Sequence, residues 1–322
     1  MAQDRMMLRK SIALAVTLAV LTAVCFGPAQ FRMDARFWGH VFDAGHIPMW
    51  AWLAAVLLYA LPARVQSMAR RYLLAFTLAI AIAFGVELLQ PLFGRARTLG
   101  DAINGTMGAG LALTGIAAWR RSGNWLWRCG HALALVGTLT VALWPAYEEL
   151  RGIRWRQANF PSLGNFEEGA ELKLWRPQGG SRSQPSSVQI TRARAANGEQ
   201  SLRVAGGAGD WAGVSYEAGG KDWSPFRALA MDVFNPRGPF KLFVRVDEES
   251  TAPQPGRLER GFTLNPGWNR IRLPLTDAQS GPQAGRLSLK RIRRVAVFTG
   301  DGEAQRFWFL DNVHLEKKED GD

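Results

Sequence analysis

Between Gly85 and Gly108 the sequence reads GVELLQPLFGRARTLGDAINGTMG, which sets Glu87, Gln90, Arg95, Arg97, Asp101 and Asn104 within eighteen residues. Glu87 and Gln90 are three apart, so on a helix they share a face and can point at one partner. A carboxylate at Glu87 or Asp43 can act as a general base, and Arg97 can hold a phosphate or carboxylate in its planar fork. Asp101 is placed to cap a helix, with Asn104 one turn further in, and Gly105, Gly108, Ala109 and Ala112 then form a small-residue face that lets another helix approach closely. Asp43 and His46 add an acid and an imidazole at the start of another apolar segment. The candidate catalytic set is therefore Glu87, Arg97 and Asp101, with Asp43, His46, Gln90 and Asn104 as substrate-binding residues. The structural alternative is that Glu87 snorkels, Asp101 only caps and the arginines hold headgroups.

The elements that carry these residues are apolar. Runs at Ser11 to Phe26, Ile47 to Leu61, Tyr72 to Leu92, Ile103 to Trp119 and His131 to Tyr147 are each near the ~20 residues that span a hydrocarbon core. Five spans are expected, the first retained as an anchor because no A-x-A cleavage site follows it. Orientation follows from the basic residues of the short loops. Arg5, Arg9 and Lys10, then Arg64, Arg70 and Arg71, then Arg120, Arg121 and Arg128 fall on one side, expected to be cytoplasmic. An odd number of spans then sends the C-terminal half to the periplasm or cell exterior. It also brings Asp43, His46, Glu87, Gln90, Arg97, Asp101 and Asn104 to the outer rim of a bacterial inner membrane.

Charge agrees with a membrane rather than a nucleic-acid partner. Of the net +12, +8 lies in the first 147 residues, where 13 Lys and Arg face 5 Asp and Glu. The two cysteines, Cys25 and Cys129, lie in or beside apolar runs, which excludes a disulfide framework or a cysteine zinc site.

The order E-x-x-Q, R-x-x-x-D and x-x-N, carried by Glu87, Gln90, Arg97, Asp101 and Asn104 and followed by Met107-Gly108, resembles the VanZ-like family of small membrane proteins. Asp43 and His46 match its upstream Asp and His, with a spacing one residue shorter than usual in that family. The resemblance covers about Phe42 to Trp119 and implies a role in the cell envelope, possessing no established reaction to transfer.

After residue 150 the composition changes to a polar and apolar mixture. The expected organisation is a transmembrane domain over 1–150, a linker over 151–164, a β-sandwich over 165–316 and a charged tail over 317–322. Leu242, Val244 and Val246 alternate with Lys241, Phe243, Arg245 and Asp247, the period of a half-buried strand. Similar runs recur between turn signals such as Asn265-Pro266-Gly267, so nine or ten strands and no helix are expected. The fold class is thus an α-helical transmembrane bundle of about five helices followed by an all-β jelly-roll sandwich.

Phe166-Glu167, Ser201-Leu202-Arg203-Val204, Pro266-Gly267-Trp268-Asn269 and Leu310-Asp311-Asn312-Val313, in that order, resemble the galactose-binding-like jelly rolls, a group that includes carbohydrate-binding modules. The resemblance nominates Glu167 or Glu168 with Asp311 for a structural calcium, although the same acids can instead accept backbone hydrogen bonds. For glycan contact the expectation is aromatic faces beside polar forks: Trp211, Phe243, Arg245 and Asp247, with Tyr216, Trp223 and Trp308 also available and Trp268 in the core. No Ser-His-Asp or Cys-His set is visible here, since the only histidine of this half is His314.

Three functions remain open on these residues. The first is an accessory protein binding envelope polysaccharide or a glycosylated partner, in contact with membrane lipids. The second is a membrane enzyme acting on a lipid-linked sugar or phospholipid headgroup, and the third an assembly factor whose sandwich binds protein.

Overall fold

In a computed structural model, residues 2–26, 35–62, 65, 67–93, 99–120, 125–249, 256–277, 287–300 and 306–318 are described. Arg97 and the last four residues of the expected tail lie outside them. The chain divides into two compact units, Met1–Tyr147 and Glu148–Asp322.

The first unit is built of helices α1 (Ala2–Phe26), α2 (Ala35–Ala60), α3 (Met68–Leu89), α4 (Leu99–Arg120) and the first part of α5 (Trp125–Asn159). Three stretches, Arg36–Ala60, Met68–Phe93 and Trp125–Asn159, are long and apolar enough to cross a membrane. Large apolar side chains such as Leu73, Leu133 and Val141 stand exposed on the surface of this unit. Ser67 caps α3, its Oγ accepting from the Arg70 N–H at 3.5 Å. Arg71 donates to the Leu58 and Leu61 carbonyls, both at 3.2 Å, and so satisfies the end of α2.

The interior of this unit is made of small residues. Ala75, Ala79, Ala83 and Glu87 form one buried stripe of α3, each four residues from the next. On α4 the buried residues include Gly105, Gly108 and Ala109, the close-approach face expected from sequence. A Cβ at Gly108 would lie 2.2 Å from the Ile47 carbonyl oxygen, and one at Gly105 would lie 2.9 Å from the Trp50 ring, so α2 and α4 meet nearly backbone to backbone.

The second unit is a sandwich of two antiparallel sheets. Its strands are β1 (Ser162–Gly164), β2 (Trp175–Gln178), β3 (Ser187–Thr191), β4 (Ser201–Ala205), β5 (Gly213–Lys221), β6 (Phe226–Asn235), β7 (Phe240–Glu248), β8 (Arg257–Leu264), β9 (Gly267–Pro274), β10 (Ile292–Thr299) and β11 (Phe307–Lys317). One sheet runs β3-β4-β11-β6-β9, with β1 added on β11, and the other runs β2-β5-β10-β7-β8. The alternation in β7 holds: Leu242, Val244 and Val246 are fully buried between the sheets.

Two sequence expectations are corrected here. Residues 151–159 are not linker but the end of α5, and 162–164 form β1. Their reason is burial, since Trp155 belongs to the sandwich core and Arg156 donates to the Glu217 carbonyl at 3.2 Å. The aromatic assignments also change. Tyr216, Trp223 and Trp308 are core residues, whereas Trp268 is 42% exposed because it sits on the outward row of β9, opposite in parity to the buried Ile271 and Leu273.

A short 3₁₀ turn, Gly169–Lys173, lies between β1 and β2. Its Glu171 carboxylate is buried and accepts from the N–H groups of Asn165 (2.9 Å), Phe166 (2.9 Å) and Glu168 (3.2 Å). Burial outweighs these donors and pushes its carboxyl up to about 7. Because the folded value lies above the unfolded one, the folded state binds the extra proton, and stability falls as pH rises from ~4.5 to ~7. Glu171 alone is expected to account for about 3 kcal/mol over that window. Urea unfolding across pH 4.5 to pH 8 checks this: Glu171→Gln should flatten the slope, and an unchanged slope would assign it to another group.

Candidate functional site

Two arrangements bring the sequence-nominated residues together, one in each unit. In the helical unit, His46 Nδ1 lies 3.8 Å from Asp101 Oδ1, and both side chains are mostly buried. The same nitrogen is 3.0 Å from the Phe42 carbonyl one turn earlier, which orients the ring. Asn104 Nδ2 donates to the Asp43 carbonyl at 3.1 Å, while the Asp43 carboxylate lies 3.9 Å from His40 Nδ1. His46, Asp101, Asn104 and the Asp43 backbone thus form one cluster across α2 and α4, made possible by the missing side chain of Gly108. Glu87 and Gln90 are both buried at the end of α3, Gln90 in the 3₁₀ turn that follows it. Among the described residues no three of His, Cys, Asp and Glu gather as a metal site. Next to His46 an apolar groove of about 720 Å³ opens between α1 and α2, lined by Val16, Val20, Phe42, Met49 and Trp52 among others.

In the sandwich, the outer face of the five-stranded sheet carries a continuous platform. Strand register sets Phe243 opposite Phe298, Arg245 opposite Ala296 and Asp247 opposite Arg294, with Gly261 and Glu259 of β8 beside Phe243 and Arg245. Phe243 and Phe298 stack at 5.6 Å with 10° between planes. Their flat packing needs glycine neighbours, because a Cβ at Gly261 would lie 3.2 Å from the Phe243 ring and one at Gly300 only 2.9 Å from it. Trp211 leans on Phe298 at 5.1 Å and 37°. The Arg245 guanidinium lies over both, 5.2 Å from the Trp211 ring and 5.6 Å from that of Phe298.

Asp247 holds the charged end of the platform. It pairs with Arg245 Nε at 3.2 Å and accepts from Arg294 through Nε at 2.8 Å and Nη2 at 2.5 Å. The fork that approaches a planar ligand is therefore already oriented. Arg294 and Phe298 are members of this face that sequence reasoning did not nominate. Their parity in β10, opposite that of the core residues Val295 and Val297, was the available signal, although Phe298 is itself covered by Trp211 and Arg245.

Trp211 is the unusual member. It is 47% exposed and its backbone sits at φ +62°, a conformation that a bulky residue rarely adopts. Its neighbour holds it there: the Ala212 carbonyl accepts from the Thr299 N–H at 3.0 Å and from its hydroxyl at 3.2 Å. The facing loop is glycine at Gly179, where a Cβ would lie 2.3 Å from the Trp211 carbonyl oxygen.

Glu167 and Asp311 both hold the backbone of the loop between β3 and β4. Glu167 Oε1 accepts from the N–H groups of Glu199 (2.9 Å) and Gln200 (3.0 Å). Asp311 Oδ2 accepts from Ala196 (2.7 Å) and Asn197 (3.0 Å), and its Oδ1 from Asn312 (2.7 Å). The two acids staple the β3–β4 loop on either side of Gly198, whose φ of +73° lets the chain turn between them. Burial raises the Asp311 carboxyl above its ordinary value despite these donors. These backbone hydrogen bonds are the role that the sequence offered these acids as the alternative to a calcium site.

No family model matches the chain, and no curated protein matches it. Among solved structures, the sandwich is similar to a family 11 carbohydrate-binding module from Clostridium thermocellum in complex with a β-1,3-1,4-mixed-linked tetrasaccharide. That likeness has 18% identity over 48% of this chain and 94% of the module, with a TM-score of 0.39. It is also similar to the CBM22-1 xylan-binding domain from Paenibacillus barcinonensis, at 18% identity over 49% of this chain and 96% of that domain, with a TM-score of 0.37.

Proposed function

We propose that this protein is a multi-pass protein of the bacterial inner membrane whose extracytoplasmic sandwich binds envelope polysaccharide on the outer face of its five-stranded sheet. The observation that carries this reading is Trp211, a half-exposed aromatic held at positive φ beside a prealigned Arg245–Asp247–Arg294 row. Backbone strain of this kind persists where the surroundings enforce it and clusters at ligand sites. An aromatic face with an oriented fork beside it suits the apolar side and the hydroxyl edge of a sugar ring. The N-terminus is cytoplasmic in this reading, five helices cross the membrane, and the helical unit is VanZ-like by the residues from Asp43 to Gly108.

Titrating the full chain in detergent with neutral envelope polysaccharides and peptidoglycan fragments tests it. Saturable binding is expected, and Trp211→Ala should weaken it at least ~10-fold, about 1.4 kcal/mol, with no loss of fold. Binding by Trp211→Ala as tight as by the unmodified protein would remove the platform from consideration. A folded sandwich that ignores glycans and captures a protein would favour the assembly role instead.

A second reading rests on the His46–Asp101 contact. Acid and imidazole across two helices form a unit that can move a proton on a lipid-linked sugar or phospholipid headgroup, with Glu87 as an alternative base and Arg97 as the phosphate holder. Under it, Asp101→Asn abolishes the cellular phenotype at unchanged membrane abundance, whereas parallel loss of both assigns Asp101 a structural role.

A further inference from the structure

The opposite sheet of the sandwich carries a second surface, on the side away from the platform. Register places Gln189 of β3 opposite Arg203 of β4, Arg203 opposite Phe309 of β11, Phe309 opposite Phe234 of β6 and Phe234 opposite Trp268 of β9. This is one straight row across five strands, about 19 Å long at ~4.8 Å per strand. All of it points outward. Leu202, Val204, Trp308, Leu310 and Val233 from the same strands fill the core, and the alternating residues therefore face the other way.

The row is aromatic below and cationic above. Phe234 packs edgewise on Trp268 at 5.3 Å and on Phe309 at 6.0 Å, and Phe307 continues the series at 6.1 Å from Phe309. Arg194 lies 5.2 Å over Phe234, while Arg203 and Arg237 lie 5.1 and 5.2 Å over Phe307. Among the described residues no carboxylate forms an ion pair with Arg194, Arg203 or Arg237. On the same sheet Arg270 and Arg272 are, by contrast, already engaged by Glu316.

A guanidinium resting on a ring has its orientation fixed and presents its remaining N–H groups to a carboxylate better than a mobile lysine would, and Arg194 already spends one donor, Nη1, on the Ala193 carbonyl at 3.1 Å. Three such groups along a flat face present repeated anion seats, and the exposed Trp268 at the end of the row offers a bare ring to an uncharged part of the ligand. A lipid surface would instead require apolar side chains that protrude, whereas here Phe234 and Phe307 lie beneath the arginines. We propose that this face is a second binding surface whose ligand is an acidic polysaccharide bearing repeated carboxylates, bound independently of the Trp211 platform.

The test uses the full chain in nanodiscs of zwitterionic lipid, with polygalacturonate as the acidic probe and xylan as the neutral one. Polygalacturonate is expected to bind, to weaken as salt rises from ~0.05 to ~0.5 M, and to lose at least ~10-fold in affinity in the triple variant Arg194→Gln, Arg203→Gln, Arg237→Gln. The corresponding Arg→Lys triple keeps the charge but not the planar fork, so an intermediate loss is expected and the proposal stays testable if the Gln variant misfolds. Trp211→Ala should leave polygalacturonate binding unchanged, and the arginine variants should leave neutral-glycan binding unchanged, so failure of one surface is distinguishable from failure of the other. Undiminished binding in the Gln triple, full affinity in the Lys triple, or binding only to added phosphatidylglycerol vesicles would each overturn it.

Discussion

Replacing Gly108 by valine is expected to leave little folded protein in the membrane fraction, and to destabilise what remains by about 3 kcal/mol or more. The first atom of a new side chain would lie 2.2 Å from the Ile47 carbonyl oxygen and 3.0 Å from the carbonyl carbon. Both belong to backbone, so no rotamer change relieves the overlap, and α2 and α4 must separate. That separation also pulls His46 from Asp101 and Asn104 from the Asp43 carbonyl. Gly85→Val is the matched control, because a Cβ there meets nothing within 4 Å. Abundance and thermal stability in detergent should fall for Gly108→Val and stay near normal for Gly85→Val. Equal behaviour of the two would mean that the helices accommodate the side chain and that the close approach is not required.

Trp155→Ala is expected to cost the sandwich about 3–5 kcal/mol, the range for emptying a large aromatic site in a core. The residue is buried in the core of the second unit although it lies on α5, between Gly152, which fits against Lys173, and Arg156, which fits against Gly219. Glu148 and Glu149 add ion pairs to Lys173 and Arg176 along the same helix end. Denaturation of residues 148–322 measures the effect. A piece beginning at residue 160 should show a loss at least as large, since it lacks Trp155 and Arg156 together. Equal stability of the 148–322 and 160–322 pieces would show that the helix end is only tethered to the sandwich.

These two residues also mark where sequence reasoning succeeds and stops. Small residues at Gly105, Gly108 and Ala109 read from sequence as a close-approach face, because helix geometry alone puts positions three and four apart on one side. Trp155 read as linker because the nine residues from Arg151 hold three basic side chains and no helical apolar stripe. Its burial depends on the sandwich core, which only the folded chain supplies. Trp268 failed in the reverse direction: a tryptophan after a turn is commonly core, but strand parity turned it outward beside Phe234.

Sequence by itself determined the properties that follow from local period and composition. These are five apolar helices, the change of character near residue 150, the antiparallel sandwich, and the outward parity of Phe243, Arg245 and Asp247. Tertiary structure decided everything that depends on which strands become neighbours. It joined Trp211 to Phe298 and Arg245 across a loop and two strands, and it brought Glu167 and Asp311 to the backbone of one loop. It also lined up Arg203, Phe309, Phe234 and Trp268, which are spread over more than a hundred residues of chain. The physical reason is that period 2 fixes the face of a side chain within its own strand, whereas strand order and register fix what lies next to it.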